Sequence, residues 1–107
     1  MNGCLSATRK ETVLPFPKQD PRPYTKANVE ILTPGQMGVY GLFRPQQWVY
    51  VGSGDIRARL LSHLNGDNAC ITRSQPTFWV AELTRGYRER EKELIRECSP
   101  TCNVQLN

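Results

Sequence analysis

Long apolar runs are missing from this chain of 107 residues. No stretch approaches the roughly 20 apolar residues that a membrane-spanning helix needs, and the N-terminus shows no apolar core of a secretory signal. Internal repeats and low-complexity tracts are also missing. These absences, together with the length, predict one globular domain located in the cytoplasm.

Cysteine is scarce, with four residues, and histidine occurs once. In a cytoplasmic protein the thiols are expected to stay reduced. Cys98 and Cys102, completed by His63 or Cys70, could be imagined as zinc ligands, but their spacing matches no recognised zinc-finger pattern. The sequence therefore predicts partly buried thiols and no zinc site.

Acidic residues are outnumbered by basic ones, which gives a net charge of +4, and arginine outnumbers lysine. A guanidinium binds phosphate through a bidentate fork, whereas an ammonium offers only a point charge. The bias favours a polyanionic partner weakly, because many small proteins carry such a charge for solubility alone.

Residues 1–34 form a proline-rich leader. Proline at this density prevents helix formation and removes backbone donors, so we expect an extended arm, with one short edge strand at residues 29–32. A turn at Pro34-Gly35 then leads into a domain over residues 35–107.

Two strands are expected at residues 37–43 and 48–51, joined by a short loop at 44–47. Each strand contributes a tyrosine and a glycine two residues apart, in the segments Gly38-Val39-Tyr40 and Tyr50-Val51-Gly52. A symmetric loop would point the two tyrosines to opposite faces. We expect a bulge or an odd loop length instead, so that both tyrosines share one face.

A first helix is expected to begin after Asp55 as its N-cap and to end at Asn65-Gly66. Its apolar stripe is Ile56, Leu60 and Leu64. Arg59 and His63 lie one turn apart along one flank of the helix. A polar loop at residues 65–76, a third strand at 77–83 and a second helix at 87–98 follow.

The second helix carries one charge, Glu91, on its apolar stripe of Tyr87, Leu94, Ile95 and Cys98. A carboxylate on such a face is costly unless it is paired or binds a cation. Glu91 is therefore either a border residue paired with a nearby arginine or a metal ligand.

This ordered set resembles the GIY-YIG nuclease superfamily over residues 37–103. The family is named after the two tripeptides at 38–40 and 50–52. Its basic-x-Arg-Leu segment is similar to residues 57–60, which makes Arg59 the helix arginine and Arg57 the alternative, and His63 follows four residues later. Its helix glutamate and its Pro-x-x-Asn segment are similar to Glu91 and to residues 100–103, which end at Asn103.

The resemblance implies an α+β fold with a small three-stranded antiparallel sheet flanked by helices. It also implies a metal-dependent endonuclease that hydrolyses nucleic-acid phosphodiesters, with DNA favoured over RNA and no small-molecule cofactor. The implied catalytic residues are Tyr40, Tyr50, Arg59, His63, Glu91 and Asn103. Further contacts to nucleic acid are expected from Arg44, Arg57 and Arg73.

The residue types suit that chemistry. Glu91 can hold one Mg²⁺ or Mn²⁺ ion, and Arg59 can neutralise charge on the phosphoryl oxygens. Either a tyrosine such as Tyr40 or His63 can take the proton from water, and His63 can alternatively clamp the phosphate. Asn103 is expected to hold the phosphate or its neighbouring residues by hydrogen bonds.

Two other functions stay open. The same fold could bind nucleic acid without cutting it, or it could be a protein-interaction domain whose leader presents an extended segment. A homodimer would allow cuts in both strands of a duplex.

Overall fold

A four-stranded antiparallel sheet with helices on both faces makes up the computed structural model, which describes residues 15–103. In chain order the elements are β1 (Arg22–Pro23), α1 (Lys26–Glu30), β2 (Met37–Arg44), β3 (Gln47–Asp55), α2 (Ile56–Leu64), α3 (Ala69–Ser74), β4 (Phe78–Leu83) and α4 (Tyr87–Cys98). The strands lie in the order β1-β4-β2-β3. In this part of the chain, no helix has the length and apolarity needed to cross a membrane.

The expected sheet of three strands is wrong by one strand. β1 comes from the proline-rich leader and pairs with β4, with Arg22 opposite Trp79 and Pro23 opposite Phe78. Proline lacks a backbone N–H donor. It is tolerated in a strand at the edge of a sheet, because no neighbouring strand needs a donor on the outer side. The α+β class with an antiparallel sheet is confirmed.

The edge strand expected at residues 29–32 is instead the end of α1 (Lys26–Glu30) and the turn that follows it. Thr25 caps α1 by accepting a hydrogen bond from the backbone N–H of Asn28, which favours helix start at this point. Val29 is fully buried against the sheet, while Ile31 is 74% exposed. The capping threonine and the burial of one side chain thus outweigh the strand propensity of these β-branched residues.

The polar loop expected at residues 65–76 also contains a helix, α3. The side chain of Asn68 caps it by accepting from the N–H of Ile71, and Ile71 is buried. A single apolar residue in a polar segment gives too little periodicity to predict a helix of this length.

The hairpin of β2 and β3 confirms that the two tyrosines share a face. Its register shifts at a bulge, so that Leu42 lies opposite Tyr50 while Phe43 lies opposite Trp48. Tyr40 is therefore opposite Gly52 and diagonal to Tyr50, with ring centroids 6.3 Å apart. The bulge is what corrects the register that a symmetric loop would give.

Alternate residues of the strands form two apolar clusters, one on each face of the sheet. One cluster packs under α4 and consists of Phe16, Val39, Phe43, Trp48, Val51, Val80, Leu94 and Cys98. The other packs under α1, α2 and α3 and consists of Val29, Tyr40, Leu42, Val49, Ile56, Leu60, Ile71 and Trp79. The helical stripe expected on α2 is wrong at its last position, because His63 is buried there and Leu64 is exposed.

Side-chain amides and a short C-terminal segment pair with the backbone of β3, at one edge of the sheet, and of β4 beyond the two residues that β1 covers. Along β3, Thr101 and Cys102 donate backbone hydrogen bonds to the carbonyls of Trp48 and Val49. Along β4, Gln19 exchanges two hydrogen bonds with the backbone of Ala81. Groups that would otherwise offer a template for another strand are thus paired.

A disulfide joins Cys70 of α3 to Cys102. The prediction of reduced thiols is therefore wrong for these two residues. Cys98 is a buried cysteine outside the disulfide, and Cys4 lies outside the described residues. The sequence separation of 32 residues gave no sign of the pairing, because only the fold brings α3 against the C-terminal segment. Two sulfurs joined in this way cannot act as zinc thiolates.

Candidate active site

Tyr40 and Gly52 face each other across the hairpin at the centre of the candidate site. Tyr40 is only 1% exposed, and a Cβ atom placed on Gly52 would lie 2.2 Å from the Tyr40 hydroxyl oxygen. Close approach of a side chain to a strand backbone is a position that glycine alone can fill. The glycine of the second tripeptide thus makes room for the tyrosine of the first.

His63 of α2 forms a hydrogen bond with the Tyr40 hydroxyl. The Tyr40 hydroxyl lies 2.8 Å from His63 Nε2. Tyr50 meets the same imidazole edge-on, with ring centroids 5.1 Å apart. α2 places His63 here because its position falls on the buried side of the helix, next to Leu60.

Asp67 completes the set and was missed in the sequence. Its Oδ1 lies 2.7 Å from His63 Nδ1, and its Oδ2 lies 3.5 Å from Arg59 Nη2. The helix ends at Asn65, and Gly66 has a left-handed backbone with φ of +89°. This turn brings the carboxylate back against the last turn of α2. The sequence did contain a signal, an acid four residues after a histidine. Because the helix was expected to end at Asn65-Gly66, Asp67 was assigned to the following loop.

The surroundings set the protonation of these groups. Burial raises the pKa of Tyr40, and the adjacent Arg59 guanidinium opposes that rise. Burial also lowers the pKa of His63, and the Asp67 carboxylate opposes that change. At neutral pH the phenol and the imidazole are therefore both neutral. Since Asp67 can only accept, His63 Nδ1 carries the proton and Nε2 accepts from the Tyr40 hydroxyl.

Glu91 approaches from α4, which packs on the other face of the sheet. Its carboxylate accepts a hydrogen bond from the Ser53 hydroxyl of β3. Its charge raises the pKa of Tyr50, after burial, and adds to the rise at Tyr40. The acid therefore lies within electrostatic reach of both phenols. Ser53 is a second residue that the sequence did not single out.

The alternative of a Glu91–arginine pair finds no support within residues 15–103. The ion pairs of α4 there join Arg90 to Glu82 and Glu93, and Lys92 to Glu89. Glu91 is half-buried and has the Ser53 hydroxyl as its neighbour.

Asn103 pairs with the backbone of β3. Its Oδ1 accepts from the N–H of Val51 at 2.7 Å, and its Nδ2 donates to the carbonyl of Val51 at 2.9 Å. The amide thus continues the edge of the sheet next to Tyr50 and Gly52. Its contact with the site runs through the backbone of β3.

The three arginines expected to contact nucleic acid lie in two places. Arg57 is in the first turn of α2, on the same helix as Arg59, and its Nε is buried with no hydrogen-bond partner in the described part of the chain. Arg44 donates to the carbonyls of Ser74 and Gln75, at 3.4 and 2.6 Å. Arg73 is exposed in the last turn of α3. Arg44 therefore closes the end of α3, and only Arg57 shares an element with the cluster.

The donor set limits the metal that this site could hold. Among residues 15–103, no three His, Cys, Asp or Glu side chains are grouped as a metal site. Glu91, the metal ligand expected from the sequence, has an orienting hydrogen bond from Ser53, and a carboxylate keeps further acceptor positions after one such bond. A hard cation that takes most of its ligands from water and phosphate, such as Mg²⁺, fits this donor set.

No protein-family model, curated protein or solved structure matches this chain. The resemblance to the GIY-YIG superfamily therefore depends on the residues and their placement.

Proposed function

We propose that the protein is a metal-dependent endonuclease of the GIY-YIG type that hydrolyses phosphodiesters in DNA. The main support is the hydrogen bond between Tyr40 and His63, together with a carboxylate on the α4 side of the sheet, Glu91, whose charge raises the pKa of both Tyr40 and Tyr50. The phenol comes from β2, the imidazole and the guanidinium from α2, and the acid from α4 on the other face of the sheet. Hydrolysis of a phosphodiester needs a proton acceptor, charge relief and an anchor for a cation.

Tyr40 and His63 supply the proton acceptor. As water attacks phosphorus, the Tyr40 oxygen takes the water proton and passes its own proton to His63 Nε2. The product is a neutral phenol and an imidazolium, so the proton count balances. Because burial raises the pKa of Tyr40 and lowers that of His63, this transfer is unfavourable without substrate. It therefore needs the acidity that water gains as it bonds to phosphorus, and the Asp67 carboxylate, which favours the protonated imidazole.

Arg59 supplies charge relief. Its side chain is 42% exposed, so its guanidinium can reach a ligand in solution. It also acts on the phenol of Tyr40, whose pKa it lowers against the effect of burial. A guanidinium that is open to solvent and acts on the proton acceptor is suited to bind a non-bridging phosphoryl oxygen.

Glu91 would hold the single Mg²⁺ or Mn²⁺ ion, with Ser53 orienting its carboxylate. When bound, such an ion withdraws charge from the phosphoryl oxygens and from the leaving oxygen.

The burial of the cluster favours a second candidate function. Tyr40 is 1% exposed and His63 is 4% exposed, as expected for a hydrogen-bonded core of a module that binds nucleic acid without cutting it. In that case the basic surface alone would act, and binding would weaken steeply with salt.

Cleavage of a panel of DNA and RNA substrates decides between the two. Single-stranded, duplex, flapped and branched substrates are incubated with the protein with and without Mg²⁺ or Mn²⁺. We expect metal-dependent products from DNA, and we expect Glu91→Gln to abolish them while far-UV and near-UV circular dichroism stay unchanged. Glu89→Gln is the matched control and should cut normally, because Glu89 is an exposed acid two residues earlier on α4 that pairs with Lys92.

Binding measured on the same substrates completes the test. Salt-dependent binding that Glu91→Gln leaves unchanged, with no products from any substrate, would support the non-cutting module and contradict the endonuclease.

A further inference from the structure

Asp67 contacts two members of the cluster through different oxygens. One oxygen lies 2.7 Å from His63 Nδ1 and the other 3.5 Å from Arg59 Nη2. With the 2.8 Å contact between His63 Nε2 and the Tyr40 hydroxyl, the groups form a continuous row of phenol, imidazole and carboxylate. The resemblance to the GIY-YIG superfamily implied no role for Asp67.

We infer that Asp67 is a positioning residue that fixes the tautomer and orientation of His63, so that its Nε2 is kept as the acceptor for Tyr40. This inference rests on the proposed function for its catalytic meaning, but the position of the imidazole can be tested without it. Asp67 touches neither substrate nor the reacting oxygen in this proposal.

The geometry favours a carboxylate for this task. A neutral imidazole has one donor and one acceptor nitrogen, and the partner of one nitrogen decides the role of the other. A carboxylate only accepts, so its contact with Nδ1 leaves Nε2 free of a proton. After His63 has taken the proton from Tyr40, the same carboxylate faces an imidazolium and stabilises it.

Other groups near His63 do not provide this orientation. Tyr40 from β2 and Tyr50 from β3 face the ring, but Tyr40 bonds the other nitrogen and Tyr50 makes an edge-on ring contact. Arg59 on α2 is a cation and lowers the pKa of His63.

The other helices on this face of the sheet, α1 and α3, also offer no group that would orient His63. In α1, the charged residues Lys26 and Glu30 pair with each other. In α3, the charged residue is Arg73, which is exposed. Asp67 is the group whose charge favours the protonated ring.

The side chain of Asp67 is 35% exposed, so it can be replaced without opening the core. Asp67→Asn keeps the size and one acceptor oxygen but removes the charge. Asp67→Glu keeps the charge and adds one methylene. Asp20→Asn, the same change at an exposed position, is the matched control.

Nitrogen-15 NMR of the imidazole reads the positioning directly. His63 is the sole histidine of the chain, so its ring signals need no assignment. We expect the wild type to show the tautomer with the proton on Nδ1. We expect Asp67→Asn to lower the pKa of His63 and to mix the two tautomers, while Asp67→Glu keeps the pKa nearer to the wild-type value. An unchanged tautomer and pKa in Asp67→Asn would overturn the inference.

Cleavage kinetics test its catalytic meaning. We expect Asp67→Asn to lower kcat roughly 10²-fold, within the range for loss of general acid–base support, with KM and the Kd for uncut DNA unchanged and the pH profile shifted with the pKa of His63. A raised KM with kcat unchanged would assign Asp67 to Arg59 and phosphate binding, and would overturn the inference. If the wild type cuts no substrate, the proposed function fails, while the NMR result still decides whether Asp67 orients His63.

Discussion

The hydroxyl of Tyr40 occupies the space directly over Gly52, where the Cβ of any other residue would lie 2.2 Å from the hydroxyl oxygen. The two residues belong to different strands and to the two separate tripeptides. Each tripeptide therefore needs the other: the first gives the phenol, and the second gives the gap that the phenol fills. The bulge between the strands sets this pairing.

Gly52→Ala should displace the Tyr40 side chain from the candidate site. The added methyl group would overlap the hydroxyl and ring of Tyr40 and crowd Tyr50, so Tyr40 must move away from His63. We expect the free energy of unfolding to fall by about 1–3 kcal/mol, as for other overpacked cores. We also expect cleavage to be lost. Urea denaturation measures the first effect. Gly86→Ala, where an added Cβ meets nothing within 4 Å, is the control, and an equal loss of stability in both variants would contradict the steric account.

Asn103→Ala should destabilise the protein even though the residue is near the surface. Its amide accepts a hydrogen bond from the N–H of Val51 and donates one to the carbonyl of Val51, and the variant removes both. We expect a loss of about 1–3 kcal/mol, measured by thermal or urea unfolding. Gln46→Ala, an amide lost from the exposed hairpin turn, should have little effect. Full stability of Asn103→Ala with cleavage abolished would instead assign Asn103 to substrate.

Stability should depend on pH through His63. Burial lowers its pKa in the folded state below the ordinary value of 6.5, so between the two pKa values the unfolded chain binds more protons. The free energy of unfolding therefore falls as the pH drops from about 6.5 toward the lowered pKa, and that loss is complete below it.

Urea unfolding at about pH 7.5 and about pH 5.5 measures this, a range above the ordinary titration of carboxylates. His63→Gln should lose less stability over the same interval. If the variant and the wild type lose the same amount, His63 is not the group responsible.

Removal of the disulfide should weaken the anchoring of the C-terminal segment. Cys70 and Cys102 are separated by 32 residues, for which constraint of the unfolded chain stabilises the fold by about 2–4 kcal/mol. We expect Cys70→Ser with Cys102→Ser to unfold at lower urea concentration. Cys98→Ser is a less suitable comparison because that residue is buried, so the reduced wild-type protein is the control and should resemble the double variant. Equal stability of oxidised and reduced protein would contradict this.

Much of the fold followed from local patterns. The hairpin, α2, β4 and α4 have clear periodicity or capping, and a bulge or an odd loop length followed once Tyr40 and Tyr50 were expected on one face. β1 and α1 were not predicted, because proline suppressed the expectation of pairing in the first and two β-branched residues suggested a strand in the second. In both cases, packing on the sheet decided the outcome.

The candidate site was predicted less completely from the sequence than the fold was. Tyr40, Tyr50, Arg59 and His63 meet because a bulge and one helix flank bring them to the same face, which spacing could indicate. Asp67 and Ser53 enter through a helix-ending turn and a cross-sheet contact, and neither leaves a periodic signal. A disulfide between distant cysteines leaves none either, since its partners meet only after the chain has folded.

The covered sheet edges limit how two copies of this chain could associate. Gln19 beside β4 and Asn103 beside β3 already occupy backbone groups that a strand from a neighbour would need, and the two prolines flanking Arg22 blunt the outermost strand. Growth of one continuous sheet across two molecules is thereby disfavoured at the described edges. A dimer of this chain would therefore be expected to associate through helices or loops.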